Sequence, residues 1–429
     1  MHMYIKKMGR IPHRRRVVTL CLLLFFQTLL CAQETLYEKH VIVDVINNQR
    51  SGSGCTPIKP TNYVYVDNSL YIPISSEEST PIRINLFFLQ RNDGTGNFQQ
   101  ENEEHQTFLS LAIAQLNAIY ANLVQDPDSQ YCYVGTSFVN NAKIRFEDHR
   151  YYIRNENGWS ANKNLFCPDN MGWPLRLLDN QICQCDTILS GINIYFSEDA
   201  DKFANYENGI FIDEWEGNGC SAFPNYSNMS KSSCIQMLEY YSMYWRKVWI
   251  EHPNATESEH TQYLLEYAGW LARGLAHELG HSLNLYHPND YHYPEDIYKA
   301  CPNDIMFRGG SGQRNFLSPN QIGTIHYALM GSNLQNYVPE NAYSGTKIVE
   351  GNVSFPRMRF YHSLSIQADV TMNCEAIMPE QAIIHLQNGG NLTIDGGSLH
   401  SITDKWKGII VENRSRSEER FSRNAETDL

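Results

Sequence analysis

His277-Glu278-Leu-Gly-His281-Ser-Leu-Asn284-Leu-Tyr-His287 is the stretch of this 429-residue chain whose residue types and spacing promise chemistry. Residues four apart share one face of a helix, so His277 and His281 aim two imidazoles at one point. Neutral imidazole ligates zinc at about 2.0–2.1 Å. Glu278 adjoins the first ligand and can reach a water on the metal without ligating the metal itself, which is the position of a general base. Asn284 follows His281 by three, where the helix must stop if His287 is to become a third ligand. A continued helix would carry His287 roughly 240° round from His281. Asparagine enters the left-handed conformation more readily than other non-glycine residues. Three protein ligands leave one coordination position for water, the arrangement of catalytic rather than structural zinc. The chemistry implied is metal-assisted hydrolysis, with a polarised carbonyl, a water whose pKa falls towards about 7, and Glu278 moving the proton. Histidine is 15 of 429 residues, so a third histidine at a preset place is roughly thirtyfold rarer by chance than HExxH alone.

The pattern along the chain predicts the elements that must hold this stretch. Ile82 to Leu89 (IRINLFFL) is an apolar run of strand length, closed by the turn residues Asn92-Asp93-Gly94. Glu103 to Leu123 has apolar residues at three- and four-residue steps and predicts a long helix. Lys143 to Ile153, Gly191 to Phe196 and Gly209 to Asp213 are further strands, and the last is a candidate for holding a peptide by β-augmentation. Ser233 to Glu251 predicts a second helix and Gln262 to Leu285 a third, which carries the histidines. The fold class is α+β, with a mixed twisted sheet and long helices. Residues 349–412 contain short alternating strands with Gly/Asn corners, as in Gln387-Asn-Gly-Gly-Asn-Leu-Thr-Ile-Asp-Gly-Gly-Ser-Leu399. They predict an all-β, right-handed β-helix-like segment with too few coils to stand alone. Residues 413–429 read as a disordered polar tail.

The stretch HELGHSLNLYH resembles the metzincin signature HExxHxxGxxH, with Asn284 in place of the usual glycine. Cys301-Pro-Asn-Asp-Ile-Met306, nineteen residues past His287 at its methionine, resembles the turn that places a methionine beneath the zinc in that family. Leu317-Ser-Pro-Asn-Gln-Ile-Gly resembles the start of the last catalytic-domain helix, with Ser318 as N-cap and Pro319 in the first turn. The chain is similar to the pappalysin-like subgroup. The resemblance covers about residues 80–335 and is sharp over 277–306. It implies a zinc-dependent endopeptidase with a protein or peptide substrate, His277, His281 and His287 on the metal, Glu278 as base, and Met306 and Asn284 as structural support. Some metzincins supply a tyrosine two residues after the methionine; Arg308 stands there in this chain, so no oxyanion-stabilising side chain is named. Two other readings stay open: a binding or adhesive protein with a vestigial metal site, and a zinc hydrolase of a non-peptide substrate.

Residues 1–32 read as a secretory signal segment: six cations from Lys6 to Arg16, an apolar stretch from Val17 to Leu30, and Ala32 before the cut. Residues 33–80 follow as an N-terminal extension or pro-segment, and residues 81–335 as the catalytic domain. Losing the segment's six cations takes the net charge from −13 to −19, which disfavours nucleic acid and anionic membrane as partners. The mature chain has no apolar run long enough to span a bilayer. Nine cysteines remain after residue 32, and in a secreted chain they read first as a disulfide framework. Cys183 and Cys185 lack the spacing of a zinc knuckle and read as disulfide partners. Cys55 reads as a disulfide partner too. The rival reading is a pro-segment thiolate that occupies the open zinc position and holds the enzyme latent.

Overall fold

A computed structural model describes residues 55–59, 69–125, 132, 134–160, 178–179, 181–182, 185, 187–208, 218–230, 232–288, 301–307, 313–403, 406–412 and 416–420. The expected signal segment, the strand expected at Gly209 to Asp213, Cys183 and Arg308 lie outside these residues. No helix among the described residues is long and apolar enough to cross a membrane.

The apolar run foreseen at Ile82 becomes strand β1, Thr80–Gln90, an interior strand of a five-stranded sheet. β2 (Ile144–Arg154), β3 (Ile192–Ser197) and β5 (Cys234–Leu238) run parallel in the order β2-β1-β3-β5. β4 (Asn218–Ser221) pairs antiparallel with β5 and forms the sheet's edge. Parallel neighbours require a crossover, and helix α1 (Glu103–Ala121) supplies the one from β1 to β2. Asn102 caps that helix, its side chain accepting from the N–H groups of Glu104 and His105.

Both faces of β1 are buried, so its sequence is apolar without alternation from Leu86 to Leu89. Ile82, Ile84, Leu86 and Phe88 face a core with Phe108, Leu116 and Tyr120 of α1. Phe87 and Leu89 face a second cluster with Tyr195, Phe203 and Trp159, to which helix α2 (Ala200–Glu207) contributes Phe203. Helix α4 (Glu257–Ser282) completes the first core with Leu271, Leu275 and Leu279.

Two boundaries differ from expectation. The stretch read as one helix from Ser233 to Glu251 is strand β5, then helix α3 (Tyr240–Tyr244), then a wider helical turn over Trp245–Ile250. Glu239, at φ 66°, turns the chain between strand and helix. The Cys-Ile-Gln-Met-Leu run pairs with β3 because a buried parallel strand needs no alternation to fit. Helix α4 begins five residues before the expected Gln262, because Thr256 and Glu259 form a reciprocal capping box.

Helix α5 (Pro319–Gly331) is capped by Ser318 in a second such box, with Pro319 in the first turn, as its sequence predicts. Beyond it the chain visits three parallel sheets in rotation. The first holds β6 (Thr346–Val349), β9 (Ser363–Ile366), β12 (Ile384–Leu386) and β15 (Ile409–Val411). The second holds β7 (Val353–Phe355), β10 (Asp369–Met372), β13 (Asn391–Asp395) and β16 (Arg416–Arg420). The third holds β8 (Met358–Arg359), β11 (Glu375–Met378) and β14 (Ser398–Ser401). Gly390 and Gly397 lie at corners where rounds pass closely: an added Cβ would stand 2.2 Å from the Ile366 carbonyl and 2.5 Å from that of Cys374. Strand β16 falls inside the stretch expected to be a disordered tail. Its main chain pairs in register with β13, which a polar sequence does not prevent. This region is tied back to the rest by Arg359, whose guanidinium donates to the carbonyls of Gln335, Val338 and Pro339, and by the Cys55–Cys374 disulfide.

Candidate metal centre

The last turns of α4 present His277, Glu278 and His281, and the helix ends at Ser282. Asn284 has φ 71°, and its N–H bonds the His281 carbonyl at 2.9 Å while the N–H of Leu285 bonds that of Gly280 at 2.9 Å. The chain thus leaves the helix through a left-handed residue, with Leu283 and Leu285 fully buried as anchors on either side. The reversal returns His287 to the helix face. Its Nε2 lies 3.1 Å from Nε2 of His277 and 3.0 Å from Nε2 of His281.

These three nitrogens form a cluster able to hold a metal ion. Nδ1 of His277 faces the Ile305 carbonyl at 2.9 Å, and Nδ1 of His281 faces the Leu285 carbonyl at 2.8 Å. A carbonyl only accepts, so in each neutral ring Nδ1 carries the proton and Nε2 offers a lone pair. Two lone pairs converging on a third imidazole are poorly served by hydrogen bonds alone. Tetrahedral zinc with ordinary Zn–N lengths places its ligand nitrogens about 3.3 Å apart, close to the spacing here. Burial, with a smaller contribution from His281, holds the His277 imidazole down to about 3, so it is neutral.

The carbonyl that orients His277 belongs to a braced segment, residues 301–307. Cys301 is bonded to Cys132. The Asp304 carboxylate accepts from Met306 N–H at 2.7 Å and from the Gln321 amide at 3.0 Å. Burial pushes the Asp304 carboxyl up to about 7, against the pull of those bonds. Ile305 N–H and Phe316 N–H close a bridge with the carbonyls of Phe316 and Asn303. Met306 is fully buried, and its sulfur lies 2.2 Å from where a Cβ on Gly280 would stand. Met306 therefore packs directly beneath the helix turn between the two histidines.

Glu278 is buried, and the main chain of β4 crosses it: a Cβ on Gly219 would lie 2.3 Å from its Cγ and 2.5 Å from its Oε1. Burial raises the carboxyl to about 8, with the Ser221 hydroxyl pulling the other way. A cation at the histidine cluster would favour the carboxylate and reverse that shift. The structure thus brings together all six residues singled out from the sequence. Gly219, Phe223 and Asp304 were not foreseen as part of this surround. Phe223 stacks on Tyr286 at 4.5 Å between ring centroids and approaches the ring of His281 at 5.5 Å. Nothing periodic marks them; Ser318-Pro-Asn-Gln321 did signal a cap, and its Gln321 also reaches Asp304.

Cys55 is bonded to Cys374, so its sulfur does not serve as a latent metal ligand. No family model matches the chain, and no curated protein matches it.

Proposed function

We propose that the protein is a zinc-dependent endopeptidase of the metzincin kind, working outside the cell. The observation that carries this is the meeting of three imidazole Nε2 atoms at the end of the helix that also bears a buried glutamate overlain by β4, the outermost strand of the sheet among the described residues. His277, His281 and His287 would hold the ion. When bound, zinc supplies Lewis acidity and lowers the pKa of a water towards neutral pH.

The chain's own residues do the rest. In this reading an extended peptide pairs with β4, the last strand of the sheet among the described residues, and antiparallel pairing is the stronger arrangement. We assign to β4 the peptide-holding role expected of Gly209 to Asp213, which lies outside the described residues. Because Gly219 overlies Glu278, a peptide on that edge brings its carbonyl carbon beside the carboxylate. Glu278 Oε accepts a proton from the attacking water as the C–O bond forms, then returns it to the amine nitrogen as the C–N bond breaks. The Ile305 carbonyl keeps the His277 ring in place, and Met306 supports the helix turn at Gly280. The sheets visited in rotation after residue 346 support a β-helix-like coil as the C-terminal region. Two disulfides favour an oxidising compartment.

Glu278→Gln keeps the shape and removes the base. It should bind zinc at wild-type stoichiometry and lose about 10²–10⁴-fold in turnover of peptides. Turnover near the wild-type rate would show that Glu278 is not the base.

A further inference from the structure

Ser221 carries a buried hydroxyl that the fold does not use. The residue is 8% exposed, and its Oγ meets no partner at ordinary hydrogen-bond geometry. A buried hydroxyl without a bond costs stability, and alanine would fill nearly the same space without that cost. The hydroxyl therefore calls for a reason outside packing.

Its place on β4 supplies one. Residues two apart on a strand point the same way, so Ser221 follows Gly219 onto the side that meets α4. At Gly219 the missing side chain admits the glutamate, since an added Cβ would stand 2.5 Å from Glu278 Oε1. At Ser221 a short hydroxyl side chain stands beside the same carboxyl. Burial opposes ionisation of that carboxyl, and the Ser221 hydroxyl is the group that favours it. The strand is held firmly at this point. Ser221 is in register with Ile235 of β5, and the next residue, Ala222, donates its N–H to the Cys234 carbonyl at 3.0 Å. The Ala222 carbonyl accepts from the Ser282 hydroxyl at the end of α4, at 3.3 Å.

We infer that Ser221 is a positioning residue for Glu278: its hydroxyl donates to one carboxylate oxygen and so holds the other towards the attacking water; this rests on the peptidase reading above. A base must lie within hydrogen-bond reach of the proton it takes, and a third group that fixes the base secures that reach. An ionised carboxylate accepts at about four positions, so it has room for this donor as well as for the water. Only a small adjustment brings the hydroxyl into line, and ionisation of the carboxyl rewards it. The orphaned hydroxyl then finds its partner in the working state of the site.

The test compares wild type with Ser221→Ala on one peptide that wild type cleaves. Activity and zinc per chain are read on the mature, zinc-loaded proteins. Urea midpoints are read on the same proteins after chelation, so that packing alone is compared. Ser221→Ala should lower kcat about 10–100-fold, with KM and zinc stoichiometry unchanged. Its urea midpoint should equal or exceed that of wild type, because an unbonded buried hydroxyl has been removed. Wild-type kcat in the variant overturns the inference and leaves the peptidase reading standing. A lower kcat accompanied by a lower midpoint, a higher KM or missing zinc assigns Ser221 to the packing of β4, and also overturns it. Absence of chelator-sensitive cleavage of every peptide by wild type overturns both.

Discussion

Gly280→Ala puts two effects of opposite sign in competition. In the interior of a helix, alanine is worth about 1 kcal/mol over glycine, so an unobstructed site would gain stability. Gly280 is obstructed: the new Cβ would stand 2.2 Å from Met306 Sδ and 3.2 Å from its Cε. Ordinary contact needs well over an ångström more. Met306 is fully buried, and its segment is held by the Cys132–Cys301 bond, the Asp304 carboxylate and the bridge to Phe316. The sulfur cannot swing freely away, so overpacking of about 2–3 kcal/mol is expected. The net is a destabilisation of about 1–2 kcal/mol. Displacing the segment also moves the Ile305 carbonyl from His277 Nδ1, so zinc affinity should fall with stability. Met306→Ala alone costs about 2–5 kcal/mol by leaving a cavity. In that background Gly280→Ala should turn stabilising. Urea midpoints for the four proteins give a coupling of about 2–3 kcal/mol if the argument holds. A stabilising Gly280→Ala in the presence of Met306, or coupling below about 0.5 kcal/mol, would refute the packing of Met306 under the helix turn.

At φ 71°, Asn284→Gly should leave zinc affinity close to wild type, whereas Asn284→Val meets a cost of about 1–3 kcal/mol and should weaken zinc binding with the domain still folded. Calorimetric titration with zinc separates the two, and equal affinities would contradict the role of that residue in delivering His287. Burial holds the imidazoles of His326 and His362 down to about 4 and about 3, so both are neutral in the fold. Below about pH 6.5 the unfolded chain takes up protons that the fold refuses, so stability is full above that pH and falls as pH drops towards 4. Within that window each histidine contributes up to about 1.4 kcal/mol per pH unit, and His362→Gln should make the slope of denaturation midpoint against pH shallower. An unchanged slope would place the acid sensitivity elsewhere.

What could be read from the sequence was what is local. The histidines and Glu278 announce themselves because helix geometry fixes their relation within eleven residues, and Asn284 because its conformation follows from its type. Helix α1 and strands β1 to β3 were legible from periodicity and apolar runs. The helix expected at Ser233 failed because Cys234–Leu238 is mostly apolar and buried on both faces, and such a run fits a buried strand as well as a helix. The edge strand over Glu278 was not legible, since Asn-Gly-Cys-Ser has neither the length nor the residue types of a strand and is defined by pairing with β5. The bond between Cys55 and Cys374 spans 319 positions and could not be chosen among the possible pairings.

We propose that the histidine cluster holds a zinc ion that the chain uses to cleave peptide bonds. Incubating the purified mature protein with a diverse peptide mixture, and identifying new termini by mass spectrometry, tests it most directly. Cleavage is expected at internal bonds, with its loss on zinc chelation and its return when zinc is restored to wild type but not to Glu278→Gln. Cleavage that survives complete removal of the metal, or no new termini with one zinc bound per chain, would contradict it.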